Sequence, residues 1–180
     1  SLTIQMQDDW NLISGISTPI EYTDIVDPEG IVIPGTLFGF GESYEQESVL
    51  EPGKAYWLRT TDSGEIHLGS NRGARVSEVH NPDNMNSITV RGMTLYFGVE
   101  VDETEKLQYS LPPKPPAGAF DVRFKGDTRI CGEECEIEIT NSGTESELIF
   151  DIKDDYEWDL VHESEAVFSC TGVQVIELHN

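Results

Sequence analysis

The chain has 180 residues, of which 34 are acidic and 11 basic, giving a net charge of −23. Residues 1–110 hold 18 of the acids and residues 111–180 hold 16, so the charge is a property of the whole chain. That balance excludes non-specific binding to nucleic acid or to an anionic membrane surface, both of which need clustered Lys and Arg.

The acidity fits solubility in a secreted protein, with capture of a cation such as Ca²⁺ as the sharper reading. No apolar run approaches the roughly 18 residues that span a bilayer. The apolar residues fall in patterned runs, unlike those of a disordered chain. No segment carries a helical period. Short alternating or β-rich runs divided by Gly, Pro, Asn and Asp predict an all-β protein. Strands are predicted over residues 10–14, 21–26, 31–33 and 36–40, punctuated by Pro28, Gly30 and Pro34-Gly35. Glu51-Pro52-Gly53 is a tight turn into 55–60, an aromatic and apolar run. Asp62-Ser63-Gly64 turns the chain into 65–68, a spacing that predicts a hairpin with a bulge. Further strands are predicted at 74–79 and, around Arg91-Gly92, at 87–90 and 94–99. Residues 102–106 read as a charged loop and 107–111 as extended.

Residues 111–118 run Leu-Pro-Pro-Lys-Pro-Pro-Ala-Gly. Each proline fixes φ, removes a backbone donor and biases its predecessor towards extension, so this is a stiff, extended linker. It divides the chain into residues 1–110, read as a β-barrel or β-sandwich, and 119–180, read as a small immunoglobulin-like sandwich. The second block restarts the alternation with Phe120, Val122 and Phe124 on one face, and continues with strands at 135–140, 148–152, 158–161 and 173–178. About 60 residues make a marginal domain. Such a block packs on the first, gains a disulfide or continues past Asn180.

Three cysteines are present, Cys131, Cys135 and Cys170. Cys131 and Cys135 bracket a turn and can pair with each other, or one of them with Cys170. Paired C-x-x-C motifs with matching histidines, the mark of zinc, are missing. His67, His80, His162 and His179 lie far apart in sequence. Neither a Gly-x-Ser-x-Gly elbow nor a phosphate-cradling loop occurs. The adjacent acids Asp8-Asp9, Glu133-Glu134 and Asp154-Asp155 would point to opposite faces of a strand and so do not form a catalytic pair. No catalytic or cofactor-binding residue is identified. For calcium, Asp83, Asn84 and Asn86, beside Asn81, offer side-chain oxygens in one loop, and Asp24, Asp27 and Glu29 offer another set. Neither has EF-hand spacing, and an Asx-rich turn is the competing explanation. Trp10, Trp57 and Trp158 each sit among apolar strand residues, which favours packing over a carbohydrate-stacking face.

Trp10-Asn-Leu-Ile-Ser14 followed by Leu50-Glu-Pro-Gly-Lys-Ala-Tyr-Trp57 resembles a pattern of β-rich modules near the C-terminal end of large secreted bacterial surface proteins, many of them similar to cargo of the Bacteroidetes-type secretion system. Thr94-Leu-Tyr-Phe-Gly98 and residues 110–124 resemble the join between such a module and a sorting-type β-sandwich. The resemblance implies architecture and export, and brings no catalytic residues. The expected function is that of a non-catalytic structural, spacing or sorting module of an exported bacterial protein, partnered by other domains of a larger parent. A carbohydrate- or calcium-binding module is the alternative, and a hydrolase whose site forms only in three dimensions is the second.

Overall fold

The computed structural model describes residues 1–69, 73–77, 82–162 and 166–179. Strands dominate, only one α-helix occurs among the described residues, and no sheet among them closes into a barrel. The all-β expectation stands and the barrel is corrected. No helix among the described residues is long and apolar enough to cross a membrane.

Contacts group the chain differently from a division at 111–118. One unit is Ser1–Asn81 with Glu103–Pro116, and the other is Pro82–Asp102 with Ala117–Asn180. The reason is strand pairing: the hairpin expected to complete the first block hydrogen-bonds to a strand of the second.

In the first unit, β1 (Leu2–Met6) pairs antiparallel with β8 (Gly64–Leu68), and β2 (Asp9–Ser14) with β7 (Ala55–Thr60). The hairpin expected between 55–60 and 65–68 is therefore absent, because each of these strands takes its partner from the N-terminal arm. The register shifts by one residue between the ladders, so residues 7–8 oppose 61–63 and the paired strands turn a corner at a bulge. Asn11 staples that corner, its Nδ2 donating to Gln7 O at 2.8 Å and its Oδ1 accepting from Gln7 N at 2.9 Å. Alternation sends Met6, Ile13, Tyr56, Leu58, Ile66 and Leu68 into one core.

Strands β4 (Phe38–Phe40) and β5 (Tyr44–Gln46) extend this sheet in the order β2-β7-β4-β5, while β3 (Ile20–Glu21) pairs with β6 (Val49–Leu50). The strand expected over 21–26 gives way to a 3-10 turn at Tyr22–Asp24, and that at 31–33 keeps one bridge, Val32 to Thr60. The buried Asp27 carboxylate accepts from Ile31 N at 3.1 Å and Val32 N at 2.8 Å, closing the turn at the break that Pro28 and Gly30 mark. Of the strand expected at 74–79, Arg75 bridges Val26, and residues 78 and 79 lie outside the described set.

The face of β7 opposite the core carries Trp57 and Arg59, with Phe38, Phe40 and Tyr44 on the same side by register. Residues 103–116, which belong to the same unit, dock on these residues. Helix α1 (Glu103–Leu107) occupies the expected charged loop, and Ser110 Oγ closes its end on Leu107 O at 2.6 Å, so 107–111 is not a strand. Arg59 Nη1 donates to Ser110 Oγ at 2.6 Å and Tyr44 Oη to Pro113 O at 2.8 Å, and Leu111 and Pro112 are buried.

In the second unit, β9 (Asn86–Val90) and β10 (Met93–Phe97) form a hairpin about Arg91 and Gly92, whose φ values of 46° and 83° make the two-residue turn that matches strand twist. The sheet continues as β10-β9-β13-β16 through β13 (Glu145–Asp151) and β16 (Val173–His179). Its inward residues include Ile88, Val90, Leu95, Leu148, Phe150 and Ile176, all buried. Two two-stranded sheets complete the unit: β11 (Asp121–Phe124) with β12 (Ile137–Thr140), and β14 (Trp158–His162) with β15 (Ala166–Cys170). Between β11 and β12, Tyr96 N donates to Arg129 O at 2.7 Å and Cys131 N to Tyr96 O at 3.0 Å, tying that loop to β10. A Cys131–Cys135 disulfide closes it, with the Cα atoms 5.9 Å apart.

Candidate functional site

The second unit holds an open-sided cavity of about 370 Å³. One wall is the inner face of the four-stranded sheet, including Ile88, Phe97, Leu148 and Phe150. The other comes from the two small sheets: Phe124 of β11, Ile137 and Ile139 of β12, all five residues of β14, and Cys170 of β15. Glu133, Glu136 and Asp159 bring exposed carboxylates to the lining. The result is an apolar slot with an acidic rim.

Trp158 is fixed on three sides. Its ring meets Phe97 edge-on at 5.0 Å, and its Nε1 donates to Asp154 Oδ1 at 3.3 Å. Its third neighbour is Gly98, where an added Cβ would lie 2.6 Å from the indole. Burial pushes the Asp154 carboxyl up, but donation from Asn86, Trp158 and the Tyr156 amide outweighs it, and the group sits below the usual aspartate range.

Asn86, read from sequence as a calcium candidate, belongs to this network. It is buried, donates to Asp154 Oδ2 at 2.6 Å, and accepts from Lys153 N at 2.8 Å and Asp154 N at 3.2 Å. Its oxygen is engaged there, while Asp83 and Asn84 sit at an exposed turn closed by Met85 N on Pro82 O at 3.1 Å. Asn81 lies outside the described residues. In the other acidic set, Asp24 pairs with Arg75, Asp27 caps its turn, and Glu29 accepts from Glu65 N at 3.3 Å. Among the described residues no three His, Cys, Asp or Glu side chains are grouped to hold a metal ion.

Of the histidines, His162 lines the cavity, while His67 lies on β8 with Nδ1 at 2.9 Å from Thr3 Oγ1. His80 and the side chain of His179 lie outside the described residues. Cys170 is a free, buried thiol whose pKa is pushed up by burial. The β14–β15 register pairs Trp158 with Cys170 and His162 with Ala166. Four residue steps separate the two pairs, about 13 Å at strand rise, so His162 and Cys170 do not form a nucleophile–base pair. Trp10 is tilted on Phe38 at 6.2 Å and stacked by Arg59 at 5.8 Å, so Trp10, like Trp158, is half-buried against an aromatic neighbour.

Sequence reasoning missed the cavity. Its one local sign is the alternation of residues 135–140, which marks Ile137 and Ile139 as inward without showing that they remain half-buried. Comparison with protein-family models, curated proteins and solved structures gave no match to this chain.

Proposed function

We propose that the chain is a non-catalytic structural module of an exported bacterial surface protein. In this reading two β-sandwich-like units, the first of which carries the stiff Pro-rich segment, work alongside other domains of a larger parent. The observation that carries it is the grip of the first unit on its own Pro-rich segment. Arg59 and Tyr44 hold Ser110 and Pro113, and Leu111 and Pro112 are buried, while Pro116 to Gly118 are exposed. A flexible tether needs no such socket. A clamped polyproline segment leaves its anchor in a defined direction and resists bending over several residues. The Cys131–Cys135 disulfide supports export, because such bonds persist in oxidising compartments. The resemblance of residues 10–14 and 50–57 to modules of bacterial surface proteins supports the same assignment.

Two measurements on the protein recovered from an exporting host test this reading. Thiol titration under denaturing, non-reducing conditions is expected to find one free thiol per chain, and three would overturn the export assignment. Brief proteinase K digestion is expected to cut first at 116–119. First cuts within 103–113 would show that the segment is not clamped.

A further inference from the structure

We propose that the cavity of the second unit is a β-strand acceptor, a slot that takes one extended segment of a basic partner protein between β12 and β14. The inference does not depend on the structural and export reading. In a strand, successive side chains point to opposite faces, so a wall seen face-on shows only every second residue. Strand β12 presents Ile137 and Ile139 in that way, whereas β14 borders the cavity with all five of its residues, Trp158 to His162. The cavity therefore runs along an edge of β14, where the backbone lies. Among the described residues β14 ladders only with β15, and β11–β12 is likewise a two-stranded sheet. A strand inserted beside β14 would continue the sheet by main-chain hydrogen bonds and place its alternate side chains in the slot.

Burial points the same way. Ile88 and Leu148 on the opposite wall are each 1% exposed, whereas Ile137, Ile139 and Leu160 remain half-buried although they line the same space. Those three side chains have apolar surface still to cover. Glu136 is paired with Lys125 Nζ at 2.7 Å, so the rim carboxylates of Glu133 and Asp159 select the occupant's charge. A second copy of a chain with net charge −23 is repelled, and a segment alternating Lys or Arg with apolar residues is attracted.

The test uses the whole chain and three capped heptapeptides: Lys-Val-Lys-Val-Lys-Val-Lys, the same peptide with Ser for Val, and the same with Glu for Lys. Binding is measured by calorimetry at physiological salt and located by backbone amide exchange. The Lys-Val peptide is expected to bind saturably and slow exchange at residues 158–162 at least tenfold, with the other two at least tenfold weaker. E133K, at an exposed rim position, is expected to weaken the Lys-Val peptide several-fold while leaving the amide spectrum of the second unit intact. The proposal is overturned if none of the peptides binds or if the Ser peptide binds equally well, which would mean charge alone. It is also overturned if protection falls on β16, or if the chain self-associates through β14 without any peptide.

Discussion

Arg123 and Asp121 stand two residues apart on β11 and so point to the same face. The guanidinium is fully buried and grips Asp121 with two parallel bonds, Nε to Oδ2 at 2.5 Å and Nη2 to Oδ1 at 2.9 Å, while Nη1 reaches Asp127 at 2.9 Å. Asp127 is exposed, so its share is screened by water. The Asp121 pair is different. Both charges have left water, and each is tolerable only because the other is present. Replacing the pair by apolar residues of similar size costs little, whereas removing one partner strands the other at a cost of about 3–5 kcal/mol. We expect Arg123→Ala to destabilise the second unit by about that amount, and Asp121→Leu with Arg123→Met to recover most of the loss. Urea denaturation of the two variants and the parent chain measures both. A loss under about 1 kcal/mol for Arg123→Ala would mean that the pair behaves as a surface ion pair.

At the scale of elements, what was legible was what local pattern dictates. The run 55–60 is a strand because its aromatic and branched residues alternate about a buried row of Tyr56, Leu58 and Thr60. Arg91-Gly92 is a turn because few residues accept left-handed backbone in succession. What was not legible was pairing. The partner of residues 65–68 lies at the N-terminus, and the sequence near Asp62 and Gly64 suits a hairpin just as well as a corner. The cavity was hidden for the same reason, since it depends on which edges meet and not on any strand's own residues. Gly98 and Gly92 separate the two kinds of information. Both have left-handed φ, 74° and 83°, but an added Cβ at Gly92 meets open space while at Gly98 it strikes Trp158 and Asn86. Gly92→Ala is expected to cost about 1–2 kcal/mol from backbone conformation alone. Gly98→Ala should cost clearly more and shift the fluorescence of Trp158 as the ring is displaced. Equal losses in thermal melts, with unchanged emission, would mean that the indole does not lie on the glycine.

For the molecule as a whole, the decisive fact is that the chain passes between its two units three times, after residues 81, 102 and 116. A linear reading of the prolines makes 119–180 a self-sufficient block. The topology does not, because β13 sits between β9 and β16, and β9 is built from residues far upstream. Without residues 86–97, β13 loses the ladder that pairs Leu148 with Val90 and Phe150 with Ile88, and the sheet keeps only β13 and β16. A two-stranded sheet is marginal in water even when one face is apolar, and Leu148 and Phe150 would lose much of the surface that buries them. A fragment of residues 117–180 is therefore expected to remain unfolded, with poorly dispersed amide signals and no cooperative melt. Residues 82–102 joined by a short Gly-Ser linker to 117–180 restore the four-stranded order and are expected to fold, with the disulfide formed and Cys170 protected from thiol reagents. A folded 117–180 fragment would return the chain to two sequential blocks, and an unfolded 82–102/117–180 fusion would show that the second unit requires the first.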